Sequence, residues 1–451
     1  YYAGALDRWV SGLKGSRIET SERGMEDEIE NAREAWTWAV EQNHIELLNQ
    51  ALEGTSRLYD LQMRYEEGEH LFQRALDQLP ADSQWTRARL LIRQGRFCRL
   101  SGRIEQAVNP LRQGLDLLRY PELVGVDTRK EEAYALQQLG WIEMDSQSDF
   151  EEARRLFQQS LNLYQAAEDR FETAHALHRL GLAVWHLDSR DEAGRFWRDS
   201  LTMLRSLGAQ AGVASLLRDM SMIPRHRGRL EEAAKMLRDS IAIAREIGNR
   251  QEIAHSLVRL GTVYTSLGRL KEARAVLEES LEFSQSLGDQ WGSVSSNVRL
   301  GVVEMHLGRY ENATRRARES NHMARRTGHS DEIRLSLLLS SSVALAREQH
   351  IKAQLFLDEG TADIDEIGHW DDWGWGMTLL ILAACRLGRS DQARELVTRA
   401  LERASEASEA IPAYWIFASA ALYLAEQGDF EQAVETYALV SCHPLLAHSK
   451  W

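Results

Sequence analysis

The chain has 451 residues, of which 43% are hydrophobic and 27% charged, enough to bury a sizeable core. Its formal net charge of -14 argues against a general attraction to nucleic acid or to an anionic membrane. Three scattered cysteines, no apolar run long enough to span a membrane and no signal peptide indicate reduced thiols in a cytoplasmic protein.

The N-terminal segment differs from the rest of the chain. A short helix is predicted from Tyr1 to about Gly12, and a polar link follows it to Gly24. We predict a helical linker over residues 1–43 and a superhelix of helix pairs over residues 44–451. Because the chain starts without a methionine, we expect it to be a piece of a longer protein.

Beyond the linker, the sequence repeats with a period of 40 residues. Recurring glycines separate stretches of helical apolar spacing, which predicts a succession of helix–turn–helix pairs. Two further pairs, anchored on Gly68 and Ala107, precede the regular series. In that series an alanine marks the start of each second helix: Ala153, Ala193, Ala233, Ala273, Ala313, Ala353, Ala393 and Ala433.

These helix pairs resemble the tetratricopeptide repeat. The matching order in one pair is Leu177, Leu180-Gly181, Ala193, Trp197 and Ser200. Each pair is longer than the usual unit of about 34 residues, and glycine replaces its helix-ending proline. The resemblance covers roughly residues 44–440. It implies an all-α fold, a right-handed α-solenoid of about ten helix pairs that lines a concave groove with the first helix of each pair.

The stretch from Glu28 to Ala39 carries a second resemblance. Its pattern of an acidic residue followed by Asn31, Ala35 and Trp36 resembles the junction after the winged helix in signal-transducing ATPases with numerous domains, the STAND class. In that class a nucleotide-binding domain precedes a tetratricopeptide sensor. The resemblance implies that a nucleotide-binding domain lies upstream in the same protein.

Signatures of catalysis are missing from the sequence. It has no P-loop, no nucleophile elbow and no HExxH motif, so we predict that this segment is not an enzyme and needs no cofactor. His175, His178 and His186 share one predicted helix, but no cysteine or carboxylate partner is evident, so we predict no metal site.

Candidate binding residues occupy groove-facing positions at fixed distances from the recurring glycine. Arginine offers donors to carboxylate or phosphate, and aromatic rings offer rigid contact area, so these positions predict recognition of an anionic or aromatic group. The alternative is a solvated polar inner face. The candidates are Tyr134, Trp141, His175, His178, Trp185, His186, Arg218, Arg225, His226 and His255, with Arg89, Arg93, Arg96 and His306 in related positions.

Tryptophans cluster near the C-terminal end, where Trp375 and Trp415 occupy equivalent positions in two helix pairs. Neighbouring aromatic residues include His369, Trp370, Trp373 and Tyr414. They predict either an aromatic pocket for a peptide or small ligand, or side chains that fill an irregular turn.

Three functions follow from these patterns. The first is the sensor of a STAND-type signalling ATPase or regulator, which binds a peptide, protein or small effector in its groove. The second is a stand-alone scaffold for protein–protein interactions. The third is an accessory subunit of an enzyme complex. None of the three requires direct contact with nucleic acid or membrane.

Overall fold

A computed structural model describes residues 1–13, 28–120, 123–144, 149–187, 189–328, 330–362, 370–406, 411–441, 443 and 445. Every regular element in these ranges is a helix, which confirms the predicted all-α class. The helices follow one another as consecutively packed pairs, as in an α-solenoid. By packing, they form two compact units, Tyr1–Leu216 with Ala242–Asn249 (unit 1) and Leu217–Ile241 with Arg250–Trp451 (unit 2).

Unit 1 contains the first ten helices in full. Their bounds are α1 (Tyr2–Leu13), α2 (Ile29–Glu41), α3 (Ile45–Leu61), α4 (Tyr65–Gln78), α5 (Gln84–Leu100), α6 (Ile104–Leu118), α7 (Arg129–Ile142), α8 (Phe150–Ala166), α9 (Arg170–His186) and α10 (Arg190–Ser206).

Two further helices, α11 (Gln210–Met220) and α13 (Leu230–Glu246), contain the boundaries between the units. Unit 2 holds the remaining helices. Their bounds are α12 (Met222–His226), α14 (Arg250–Ser266), α15 (Leu270–Leu287), α16 (Gln290–His306), α17 (Tyr310–Thr327), α18 (Ser330–Ala346), α19 (His350–Gly360), α20 (Trp370–Arg386), α21 (Ser390–Glu406), α22 (Ile411–Glu426) and α23 (Phe430–Ala438).

The predicted 40-residue period is confirmed by where the second helices begin. Those from α8 onward start at Phe150, Arg190, Leu230, Leu270, Tyr310, His350, Ser390 and Phe430. The alanine three residues later is buried in every case. A methyl group is the largest side chain that this close helix contact accepts without repacking, so the recurring alanine sets the spacing within each pair.

Small polar residues fix a second contact between helices. The serines at the position of Ser200 and Ser280 are fully buried. Ser200 Oγ donates to the Ala174 carbonyl at 2.7 Å, and Ser280 Oγ donates to the Ala254 carbonyl at 2.8 Å. These bonds satisfy the buried hydroxyls of Ser200 and Ser280 at the crossing.

Glycine ends many of the helices, as predicted. Gly268 and Gly288 have φ angles of 69° and 73°, in the left-handed region that other residues rarely adopt. Gly368, predicted to play the same role, lies outside the described residues.

Pro224 interrupts the helix that precedes α13. The sequence leaves open whether this proline bends the solenoid or only ends a helix early. In the structure α11 ends at Met220, and the short helix α12 resumes at Met222. Proline has no N–H to donate to the preceding turn, which accounts for the break around Ser221.

The N-terminal helices contribute to a core. Leu6 and Trp36 belong to the same hydrophobic cluster as Leu48, Leu52 and Phe72. Residues of the predicted linker over 1–43 therefore pack with those of the first helix pairs.

Candidate functional site

A cavity of about 330 Å³ lies within unit 2. Its walls come from the first helices of successive pairs, mainly α14 and α16, with further residues from α12, α18, α20 and α22. Three tryptophans, Trp291, Trp375 and Trp415, line this space, which we term the tryptophan cavity. Its volume is that of pockets that hold small ligands or short peptide segments.

Three arginines, Arg225, Arg259 and Arg299, also line the tryptophan cavity. Arg299 is held by neutral groups: its Nε donates to Thr262 Oγ1 at 3.1 Å, and its Nη1 donates to the Ser295 carbonyl at 3.2 Å. Its positive charge has no carboxylate partner among the described residues. A guanidinium positioned in this way can bind an incoming carboxylate or phosphate.

The positive charge of Arg259 is only weakly compensated by the protein. Its Nη2 lies 3.5 Å from Asp219 Oδ1, and 38% of its side chain is exposed. Burial lowers the pKa of Arg259; Asp219 opposes this effect, whereas Arg218 and Arg299 lower the pKa further. The positive charges repel one another, so an anion bound between them would be stabilised.

Arg218 has a different environment. Its Nη1 donates to Glu252 Oε2 at 2.8 Å, and its Nε donates to Asp219 Oδ1 at 3.1 Å. Asp219 and Glu252 are both buried, and Arg218 is not part of the cavity lining. Because Arg218 engages Asp219 more closely than Arg259 does, Asp219 compensates only part of the positive charge of Arg259.

A buried histidine, His306, lines the tryptophan cavity together with the tryptophans. His306 stacks against Trp415 with 6.1 Å between ring centroids, and only 1% of it is exposed. Burial lowers the pKa of His306 to about 4, so the ring is neutral at physiological pH. Asp331 and Glu332 line the cavity from α18, where Asp331 pairs with Arg334.

The structure brings together only some of the predicted site residues. Arg225, Trp375 and Trp415 meet in the tryptophan cavity, although the sequence places them in separate clusters. His306, predicted in a related position, lines the same cavity. His255 lies next to it: its ring contacts Trp291 edge-on at 4.9 Å, and its Nε2 lies 2.8 Å from Asp289 Oδ2. His226 does not line the cavity. His369 and the side chains of Trp370, Trp373 and Tyr414 lie outside the described part of the chain.

The remaining candidates belong to unit 1, where aromatic contacts hold most of them. The contacts, by distance between centroids, are Trp141 with Phe157 at 5.8 Å, His175 with Phe171 at 4.7 Å, Trp185 with Trp197 at 5.6 Å and His186 with Phe150 at 4.6 Å. His178 is buried, and its carbonyl accepts a hydrogen bond from Trp197 Nε1 at 3.1 Å.

Unit 1 also contains a closed network of ion pairs. Arg93, which is 4% exposed, pairs with Glu131 at 2.7 Å and with Glu53 at 2.8 Å. Its guanidinium lies over the ring of the predicted site residue Tyr134, 4.1 Å from the centroid. Two neighbours complete the network: Arg89 pairs with Glu131, and Arg96 pairs with Asp60, each at 2.7 Å. Arg57 also pairs with Asp60, at 2.8 Å, so four arginines meet three carboxylates.

Arg259, Arg299 and Trp291 are lining residues that the sequence-based candidates miss. A signal was present for the arginines, because Arg259 and Arg299 each stand two residues before a glycine inside the first helix of a pair, Gly261 and Gly301. Reading that position along the repeats would have identified them. No comparable regularity marks Trp291.

Among the described residues, no group of three or more histidine, cysteine or acidic side chains is arranged to hold a metal ion. None of the helices in the described ranges has an apolar stretch long enough to cross a membrane.

Comparisons with known proteins agree with this architecture. A family model of the tetratricopeptide repeat matches residues 212–286. The fold is that of a tetratricopeptide solenoid. Among curated proteins the sequence has no match.

Several solved tetratricopeptide structures are similar to this one. A Rap conjugation gene regulator of the plasmid pLS20, in complex with the Phr* peptide, has a TM-score of 0.52 and 12% identity over 82% of this chain and 98% of its own. A Rap protein complexed with competence and sporulation factor has a TM-score of 0.48 and 14% identity over 88% and 97%. A STAND protein with a tetratricopeptide sensor, from Pyrococcus horikoshii, has a TM-score of 0.47 and 16% identity over 75% and 54%. At these identities the likeness concerns the fold.

Proposed function

We propose that this chain is a ligand-sensing tetratricopeptide domain that binds a peptide or small effector with an anionic group in the tryptophan cavity. The observation that carries the proposal is the convergence of Arg259 and Arg299 with three tryptophans around about 330 Å³. Tetratricopeptide solenoids are ordinarily binding modules, and the pLS20 Rap regulator of the same fold was solved with a peptide.

The charges of the lining favour a peptide over a simple anion. Arg259 and Arg299 lie on α14 and α16, whereas Asp331 and Glu332 lie on α18. A peptide has an anionic and a cationic end, so it can match both groups. Its apolar side chains would contact the tryptophans, which give large contact area at little entropic cost.

We further propose that the parent protein is a STAND-type signalling ATPase or regulator. The support is the resemblance of the stretch Glu28–Ala39 to the junction that precedes the sensor in that class. Ligand binding would activate such a protein only if the ligand has different affinities for its closed and active states.

The test of binding is a screen of short peptides with free carboxyl termini, read by tryptophan fluorescence. A peptide that binds the wild-type chain should bind the double variant R259Q/R299Q at least about tenfold more weakly. The matched control is R229Q, because Arg229 is half-exposed and pairs with Glu232 on the surface of unit 2. Equal affinity in R259Q/R299Q and R229Q would exclude the tryptophan cavity as the site.

A second measurement tests the signalling context. The reading frame upstream of Tyr1 should encode a P-loop followed by a winged helix. An initiator methionine directly before Tyr1 would instead support the stand-alone scaffold. A stoichiometric complex with an enzyme that survives purification would support the accessory subunit.

A further inference from the structure

A second cavity of unit 2, of about 380 Å³, lies between the second helices α17 and α19 and the helix α18. It shares no lining residue with the tryptophan cavity. Four permanent cations line it, Arg318, Arg325, Arg347 and Lys352, and His322 stands beside them. We term it the basic pocket. None of its described lining residues is a carboxylate, which is notable in a chain with a net charge of -14.

The cations of the basic pocket are only weakly neutralised by the protein itself. Arg325 pairs with Glu359, and Arg347 pairs with Glu311, but these carboxylates are 54% and 87% exposed. Solvent-exposed pairs of this kind contribute little, about 0–1 kcal/mol, so a stronger anion can displace them. Arg318 is exposed and has no carboxylate partner among the described residues.

The floor of the basic pocket is apolar. Leu337, Val343 and Ala344 are buried beneath the charged rim. Phe356 closes one side, and the Lys352 ammonium lies 6.0 Å from the centroid of its ring. A ligand therefore meets positive charge at the rim and an apolar, partly aromatic surface below it.

Neutral donors contribute little to the basic pocket. The Thr314 hydroxyl donates to the Tyr310 carbonyl at 2.7 Å, and the Ser340 hydroxyl donates to the Ser336 carbonyl at 2.8 Å. Asn321, His322 and Gln349 also line the pocket, but arginine and lysine supply its charged donors. Guanidinium groups match the oxygens of a phosphoryl group, and several cations favour a dianion over a single carboxylate.

From this arrangement we propose that the basic pocket binds a small organic phosphate, with the phosphoryl group among Arg318, Arg325 and Lys352 and the organic part against Phe356 and the apolar floor. The volume suits a small molecule rather than a folded partner. This site is independent of the proposed peptide site, because no residue is common to the two linings.

The test is calorimetric titration of the whole chain with inorganic phosphate, pyrophosphate and phenyl phosphate at constant ionic strength. We expect saturable binding, tightest for the probe with both a phosphoryl group and a ring. The variant R318Q/K352Q should weaken it by at least about tenfold. The matched control is R315Q/K271Q. Arg315 lies on the same helix as Arg318 but outside the pocket and pairs with Glu319 at 3.2 Å, and Lys271 is an exposed residue of α15, also outside the pocket.

Three outcomes would overturn the proposal. The absence of saturable binding of all three probes at millimolar concentration would show that the pocket holds no phosphate. An equal loss in R315Q/K271Q would show a general charge effect without a site. Tighter binding of a poly-glutamate peptide than of phenyl phosphate, lost in R318Q/K352Q, would identify a docking surface for an acidic protein segment instead.

Discussion

Two arginines at corresponding positions of the repeat, one in each unit, have opposite surroundings. In unit 1, Arg93 stands two residues before Gly95, a glycine inside the first helix of its pair, and is enclosed by Glu53 and Glu131. In unit 2, Arg299 stands at that same position, and its described partners are hydroxyl and carbonyl oxygens. The residue and the position are alike, but the charge is neutralised in one unit and available in the other.

The carboxylate partners of an arginine distinguish a structural role from a ligand-binding role more clearly than the residue type does. An arginine whose carboxylates are supplied by neighbouring helices holds those helices together. An arginine that lacks them raises the local potential and remains ready for a ligand. The partners of an arginine, rather than its presence on an inner face, are therefore the useful criterion for a binding site in this fold.

The largest expected effect comes from removing the central cation of unit 1. R93M should destabilise unit 1 by about 3 kcal/mol, because buried Glu131 then keeps only Arg89, and Glu53 loses its partner. R259M in unit 2 should cost less than about 1 kcal/mol, because Arg259 is partly exposed and holds Asp219 only at 3.5 Å. Hydrogen exchange of peptides from α5 and α14 measures each change within its own unit.

A double variant sharpens this first prediction. R93M/E131L removes both members of the Arg93–Glu131 pair and should regain part of the lost protection in α5, since Glu131 no longer remains as a buried charge whose partner Arg93 is missing. Similar losses from R93M and R259M would contradict the distinction between the units.

Acid should affect unit 2 before unit 1. The pKa of His306 falls from an ordinary 6.5 to about 4, so its contribution to stability is complete above pH 6.5 and is lost as the pH falls towards 4. The loss amounts to about 3 kcal/mol. In unit 1, burial would raise the pKa of Asp60, but Arg96 and Arg57 outweigh burial and lower it below 3.8, so that contribution persists until the pH falls below this value.

The measurement is hydrogen exchange at pH 7 and pH 5, corrected for the intrinsic rate. Peptides of α16 should lose protection at pH 5, and those of α5 should keep it. H306Q removes the titrating ring and should abolish the difference; acid sensitivity that persists in H306Q would assign it to another group.

The smallest expected effect concerns the glycines inside the first helices, Gly181 in unit 1 and Gly261 in unit 2. A Cβ on Gly181 would collide with the indole of Trp197, which stacks on Trp185 and donates to the His178 carbonyl. A Cβ on Gly261 would meet the Leu277 side chain instead. G181A should cost about 2 kcal/mol and G261A about 1 kcal/mol, because leucine can change rotamer and the fixed indole cannot.

Thermal unfolding of G181A and G261A, side by side, compares the two positions. A larger loss for G261A would mean that Leu277 is the more tightly held neighbour.

The fold could be predicted from sequence because close helix crossings demand small residues at a fixed spacing. Ala193, Ser200 and Gly181 each mark such a contact. Because the pattern of small residues recurs every 40 residues, successive helix pairs must pack in the same way. The lining of the tryptophan cavity was predicted only in part. Arg225, Trp375 and Trp415 lie on it, but nothing in their spacing indicates that residues so far apart share one cavity.

The pairing of charges could not be predicted from the sequence. Arg218 and Arg259 both occupy inner positions, yet Asp219 and Glu252 neutralise the first much more than the second. Which carboxylate approaches which guanidinium depends on the crossing of neighbouring helices and on side-chain rotamers. A repeat pattern specifies a face of a helix, and several partners on the adjacent face remain compatible with it.

The buried serine contacts have a consequence for how such a chain can change its length. The hydroxyls of Ser240 and Ser256 lie 2.9 Å apart, and those of Ser280 and Ser296 repeat the same contact 40 residues later. Because neighbouring junctions are interchangeable, removing or duplicating one whole period rejoins matching surfaces, whereas a gain or loss of a few residues within a helix rotates every later contact out of phase. The length of such a chain therefore changes by whole periods. Each added period would bring another set of inner positions that can contact a ligand.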